Sequence, residues 1–203
     1  MDVEDLKIRY TPPRFQDDEE EAEPQEQTVA YWTLYASLHV LSLAGSASLV
    51  DVCWAALVAA LRDVRLPRAW WDADVERVIA SDQSDEARRL RLRGLPVCCT
   101  WGVFVASKGQ LGMQTQMEEG GETEGAKVLG DGSRAWLLAD PDDFEDPLCR
   151  ETVTITVDAS AGKTRVLRVE KTGGRVVGAS EMRDLVAAAT ERWREWAAVL
   201  KGP

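Results

Sequence analysis

A β-hairpin in the last third of the chain constrains the fold more than any other stretch. Residues 152–157 and 164–169 alternate apolar with polar side chains, and Ala161-Gly162 stands between them where a tight turn is required. That arrangement commits this part of the chain to antiparallel sheet. Two upstream runs read as further strands: the apolar stretch 95–106, and residues 135–139, which end at Asp140-Pro141. Residues 30–43 are aromatic-rich and partly alternating, and they predict one long strand.

Two helices complete the pattern. Ala44-Gly45-Ser46 turns the chain, and Ser48 is a candidate cap for a helix over 49–63. That helix carries Leu49, Val52, Trp54, Leu57, Val58 and Leu61 around nearly its whole circumference, which predicts burial. Arg65-Leu66-Pro67 ends it and opens a less regular stretch through about residue 93. Gly173-Gly174 break the chain after the hairpin. Ser180 is positioned to cap a last helix with Met182, Leu185, Val186, Ala189, Trp193 and Trp196 at helical spacing. The order of strands and helices is that of an α+β fold.

Composition narrows the function classes. An apolar share of 45% in 203 residues can build a core. The apolar run around residues 52–61 is too short to span a bilayer. The net charge is −11, and residues 1–27, with ten acids and three bases, hold −7 of it. A general basic footprint for nucleic acid is therefore lacking, and any nucleic-acid contact would have to come from local patches or partners. Residues 1–28 read as an acidic unstructured segment, and the Gly-, Glu- and Gln-rich stretch 107–132 as a flexible insertion. The cysteines Cys53, Cys98, Cys99 and Cys149 lack metal-ligand spacing, and adjacent Cys98 and Cys99 would face opposite sides of a strand. They read as reduced thiols of a cytosolic or nuclear protein.

Each group with chemical potential also has a plainer reading. His39 is the one histidine, sits mid-strand without a nearby carboxylate to orient it, and reads as structural. Asp140, Asp142, Asp143, Glu145 and Asp146 could gather a divalent cation, but they lack the fixed glycine and terminal glutamate of a calcium loop and read as a solvated turn. Trp70-Trp71 could stack on bases; packing over a core or subunit interface is the default. Arg88, Arg89, Arg91 and Arg93 form one basic cluster, either a solvated loop or a phosphate contact. Gly45-Ser46-Ala47-Ser48 has the layout of an anion site at a helix start, without a positive side chain. No catalytic, cofactor-binding or metal-binding residue is assigned.

Taken in order, several segments resemble the ribonuclease PH family, and in particular the ring subunits of exosomes. Val50-Asp51-Val52-Cys53-Trp54-Ala55-Ala56-Leu57 through Arg65-Leu66-Pro67 is similar to a buried family helix and its leucine-proline exit. Leu66-Pro67-Arg68-Ala69-Trp70-Trp71-Asp72 and Leu92-Arg93-Gly94-Leu95-Pro96 carry the likeness on. Residues 95–106 resemble the first strand of the C-terminal domain, and Leu137-Leu138-Ala139-Asp140-Pro141 a strand end typical of exosome ring subunits. The likeness covers roughly residues 29–200.

The resemblance implies an α+β, ribonuclease PH-like sheet-and-helix fold from which the first half of the N-terminal domain is missing. It implies a remnant of that domain over 29–80 and a C-terminal domain over 81–203. Active members hold inorganic phosphate with an arginine in the strand-to-helix turn, where this chain has Gly45-Ser46-Ala47-Ser48. They also place a general-acid aspartate just before the strand corresponding to residues 153–157. Here Arg150-Glu151-Thr152 stands at that place, with Glu151 one residue out of register and so on the other face. On this resemblance the chain would be a non-catalytic exosome ring subunit with no cofactor. It would support 3′-to-5′ RNA processing and degradation in nucleus, nucleolus and cytoplasm. Its partners would be paralogous ring subunits, RNA-binding cap subunits and single-stranded RNA passing through the ring. Two rival readings are an active phosphorolytic exoribonuclease using phosphate, and an acidic adaptor on an unrelated α+β domain.

Overall fold

A computed structural model describes residues 2–12, 25–42, 48–106, 126–129, 133–174 and 176–201. Residues 13–24 of the acidic segment, the turn 43–47 and most of the insertion 107–132 lie outside the described residues. The chain divides into two compact units, Met1–Ser37 with Ala59–Arg93 and Leu38–Val58 with Gly94–Pro203.

In the first unit, Asp2 accepts a hydrogen bond from the Glu4 N–H and starts a 3-10 turn over Val3–Leu6. Strand β1 (Lys7–Tyr10) follows and pairs antiparallel with β2 (Gln27–Tyr31). Two apolar residues of this stretch, Leu6 and Ile8, are buried, at 8% and 4% exposure. The expectation of an unstructured segment over 1–28 therefore fails for residues 3–10 and again at Gln27 and Thr28, where β2 begins. Its acids conceal two apolar anchors, and burying these offsets the ordering cost.

The long strand expected over 30–43 ends at Tyr31, and residues 32–42 form neither helix nor strand. A strand needs a partner for its N–H and C=O groups, and β1 is only four residues long. The Trp32 N–H makes one further bond, to the Leu6 carbonyl at 2.8 Å.

After helix α1 (Leu49–Asp63) the expected irregular stretch is a set of short ladders. Strand β3 (Arg65–Leu66) pairs with β6 (Arg88–Arg89), and β4 (Ala69–Asp72) pairs with β5 (Arg77–Ala80). Asp72 stabilises the β4–β5 turn by accepting from the N–H groups of Asp74 and Val75. Leu6, Leu66 and Leu90 form the small core, with Trp32, Leu34, Leu61, Val64 and Leu92 packed on it. Leu90 thereby belongs with residues before 80, so the boundary expected between 80 and 81 is not where the compact units divide.

The second unit is a five-stranded antiparallel sheet in the order β11 (Arg165–Gly173), β10 (Cys149–Asp158), β7 (Val97–Ala106), β9 (Arg134–Ala139), β8 (Lys127–Val128). The expected hairpin is β10–β11, and Gly162 turns it at φ +79°, a conformation that favours glycine. Val103, Val153, Ile155 and Val157 are fully buried. Each such side chain is worth about 1.5–3 kcal/mol of burial. They meet Leu185, Ala189 and Ala197 of helix α2 (Ala179–Lys201), the stripe that the sequence periodicity specifies. Trp193 fixes the helix by donating its indole N–H to the Leu95 carbonyl at 2.7 Å. Ser180 lies inside α2 rather than before it, and the Glu181 carboxylate accepts the Gly178 N–H at the helix entry.

Helix α1 has the expected bounds but not the expected burial. Val58 is its one buried residue, while Leu49, Val50 and Val52 are 43%, 55% and 52% exposed. Val58 joins the apolar cluster of the sheet with Trp54 packed beside it, and polar contacts add to these. Asp51 accepts from the Thr100 N–H at 2.8 Å and hydroxyl at 2.9 Å, and Trp54 donates to the Pro96 carbonyl at 3.0 Å.

Candidate functional site

The position nearest to a general acid is Glu151, at the start of the buried part of β10. Pairing across the sheet sets it opposite Val103 on one side and Gly173 on the other. It shares its face with Val153 and Ile155 and is 2% exposed. One carboxylate oxygen accepts the Val176 N–H at 2.9 Å, and the other accepts the Val177 N–H at 3.2 Å. Lys171 Nζ is 2.8 Å from the latter oxygen. Gly174 makes room for this arrangement: at φ +53° it sits where a Cβ would come within 2.2 Å of Glu151 Oε2. Both oxygens are therefore engaged by the approach to α2, and the carboxylate works as an internal clamp on residues 174–177.

Of the strand-to-helix turn, Ser48 is described, and Gly45-Ser46-Ala47 lie outside the described residues. The Ser48 N–H donates to Asp140 Oδ1 at 3.2 Å. Asp140 itself holds φ +61°, at the end of β9. Its neighbours form a self-contained turn. Asp142 accepts from the N–H groups of Phe144 and Glu145, and Glu145 accepts from the Asp142 N–H. Among the described residues no group of His, Cys, Asp and Glu is arranged to hold a metal ion.

Beside α1 lies a cleft of about 360 Å³ lined by Val50, Trp54, Cys98, Thr156, Leu167 and Arg168 among others. Burial pushes the Cys98 thiol up to about 11, and burial pushes that of Cys99 to about 12, so neither supplies a thiolate nucleophile near neutral pH. All four cysteines are free.

The basic cluster is answered by N-terminal carboxylates. Asp5 is 2% exposed and takes Arg91 through both carboxylate oxygens, at 2.6–3.1 Å, while Arg88 donates to the Asp5 carbonyl. Arg93 reaches Asp2 at 2.8 Å. The side chain and backbone N–H of Arg91 hold the Asp5 carboxyl below its usual range against the opposing effect of burial. These pairings join residues more than eighty positions apart, so no local signal in the sequence announces them. Trp70 is 40% exposed, with the Arg68 guanidinium 6.0 Å from its ring centroid, and Trp71 is half-buried. His39 is exposed and lies in the segment without strand structure, which corrects its expected mid-strand position.

No family model matches the chain. It is 33% identical over 140 residues to the exosome complex component rrp43 of Schizosaccharomyces pombe, an alignment taking in 69% of this chain. The chain is a homologue of a ribonuclease PH-like exosome subunit. It spans 40% of the length of that relative. For an exosome-subunit homologue the mixed sheet-and-helix architecture is compatible.

Proposed function

We propose that the chain is a non-catalytic structural subunit of an exosome ring of ribonuclease PH-like proteins, supporting 3′-to-5′ RNA processing and degradation. Ribosomal RNA 3′-end maturation and messenger RNA decay, in nucleus, nucleolus and cytoplasm, are the processes in view. Its neighbours are paralogous ring subunits and RNA-binding cap subunits, with single-stranded RNA passing through the assembly. The homology to rrp43 carries the choice of assembly. The engagement of both Glu151 oxygens supports the non-catalytic part. A proton donor needs an oxygen free to reach the leaving group, and these are committed to Val176, Val177 and Lys171.

Exposed apolar groups support docking among neighbours: Tyr35 and Leu41 are 93% and 97% exposed, with Val40 at 52%. The test is co-expression of the tagged chain with paralogous ring subunits, followed by size-exclusion chromatography. Nucleoside diphosphate release from a short RNA is then measured with added phosphate. Co-elution without diphosphate release is expected. Release that depends on this chain would establish the phosphorolytic reading instead, and failure to co-elute would refute its place in the ring.

A further inference from the structure

The first unit holds a cleft whose charge runs against the rest of the chain. It has a volume of about 440 Å³, within the range of small-ligand sites. Five cations line it: Lys7, Arg9, Arg68, Arg88 and Arg91. Against them stand three carboxylates, Glu4, Asp5 and Glu86. The lining is thus positive by two charges in a chain of net charge −11. Trp32 forms an apolar wall, half-buried and backed by the Leu6, Leu66 and Leu90 core.

The cations are not equally committed. Lys7 and Arg9 are held by Glu4, Arg9 also by Glu26, and Arg91 by the buried Asp5. Arg68 has one ion pair, at 3.3 Å with Glu86, and lies 6.0 Å from the Trp70 ring centroid, and its side chain is 67% exposed. An exposed pair of this kind is weak and easily exchanged for a better anion. Arg88 donates to a main-chain carbonyl, and the Asp5 carboxylate beside it is already gripped by Arg91. Two guanidiniums therefore have donors to offer in a net positive cleft that an indole also lines.

We propose that this cleft binds single-stranded RNA, with Arg68 and Arg88 gripping successive phosphates and Trp32 giving a face on which a base stacks. Guanidinium forks match phosphate oxygens in pairs, and aromatic faces accept any base, so the site is sequence-tolerant. An acidic peptide would use the arginines but leave the indole wall without a matching group. The choice of RNA rests on the proposed place in an RNA-processing assembly. The lining residues Glu4, Asp5, Lys7, Ile8 and Arg9 lie before the stretch that resembles the ribonuclease PH family.

The probe is a short fluorescent oligouridylate, titrated with the full chain by anisotropy over a series of salt concentrations. Arg68→Gln and Arg88→Gln should each weaken binding about tenfold, the low end for a hydrogen bond between charged groups. The double variant should lower the slope of log affinity against log salt by about 1.4, at roughly 0.7 per lost phosphate contact on a single strand. Lys163→Gln, in the exposed β10–β11 turn, should bind like the parent. Thermal melts show whether each variant stays folded, and Arg68 is exposed enough for its change to leave the fold intact. Parental binding by a folded Arg68→Gln chain overturns the proposal, as does displacement of the RNA by polyglutamate at equal charge. Loss of RNA binding with intact co-elution in the ring would show the two readings to be separable. Retained RNA binding without co-elution would sink the assembly and keep the cleft.

Discussion

Replacing Glu151 with glutamine separates a structural carboxylate from a catalytic one. The change keeps the shape but turns one acceptor oxygen into an NH₂ donor. That donor has to face the Val176 N–H, the Val177 N–H or Lys171, each of which is itself a donor. Lys171 is 30% exposed and can turn to water, but one backbone N–H is left without an acceptor in a site where Glu151 is 2% exposed. An unsatisfied buried donor costs about 1–3 kcal/mol, and the bonds lost to the charged carboxylate fall in a similar range. Destabilisation of about 3 kcal/mol is expected.

Urea denaturation followed by tryptophan fluorescence measures this loss, since Trp101 and Trp193 lie in the same unit. Gly174→Ala supplies an independent handle. A methyl there meets Glu151 Oε2 at 2.2 Å and forces a left-handed backbone at φ +53°. Adding Gly174→Ala to Glu151→Gly should cost at least about 1 kcal/mol less than adding it to the parent, because Glu151 Oε2, Cβ and Cδ, at 2.2, 2.6 and 2.8 Å from the new methyl, are all gone. A loss below about 0.5 kcal/mol for Glu151→Gln, with additive effects in the Gly174 cycle, would refute the clamp and return Glu151 to the candidates for proton transfer.

Two further expectations concern titratable groups. Burial pushes the Asp158 carboxyl up. The Ser160 hydroxyl and N–H, the Leu95 N–H and Arg165 outweigh it and hold the group below its ordinary 3.8. A lowered folded pKa means stability that is present above about pH 4 and lost as pH falls through the lowered value. Asp158→Asn should therefore flatten the acid limb of a stability-against-pH curve below pH 4 and leave its shape at neutral pH unchanged; an unaltered acid limb would refute this. Cys98 and Cys99, with thiols raised to about 11 and about 12 by burial, should resist iodoacetamide at pH 8 in the native chain and react in urea. Mass spectrometry of the labelled protein decides the point, and native labelling of either thiol contradicts it.

The sequence alone determined the elements with a strong period and clear punctuation. Helix α1, the hairpin β10–β11 with its Gly162 turn, strands β7 and β9, and the apolar stripe of α2 are all set by spacing and by residues that tolerate few conformations. Local chemistry is enough there, because hydrophobic period and turn residues act within a few positions. Tertiary structure decided what depends on partners. The run after Tyr31 has strand composition but no strand, for want of an edge to pair with. Helix α1 is apolar yet mostly exposed: it meets the sheet through Val58, Trp54 and Asp51, while Leu49, Val50 and Val52 face away from the core. The acidic N-terminal segment reads as solvated, yet Leu6 and Ile8 are buried and Asp5 holds Arg91 from 86 residues away. Glu151 stands at its expected place in the sequence, and its register put it on the core face. Only the folded approach of Val176, Val177 and Lys171 made it a clamp, since a carboxylate's role is set by which donors reach it and not by its neighbours in the chain.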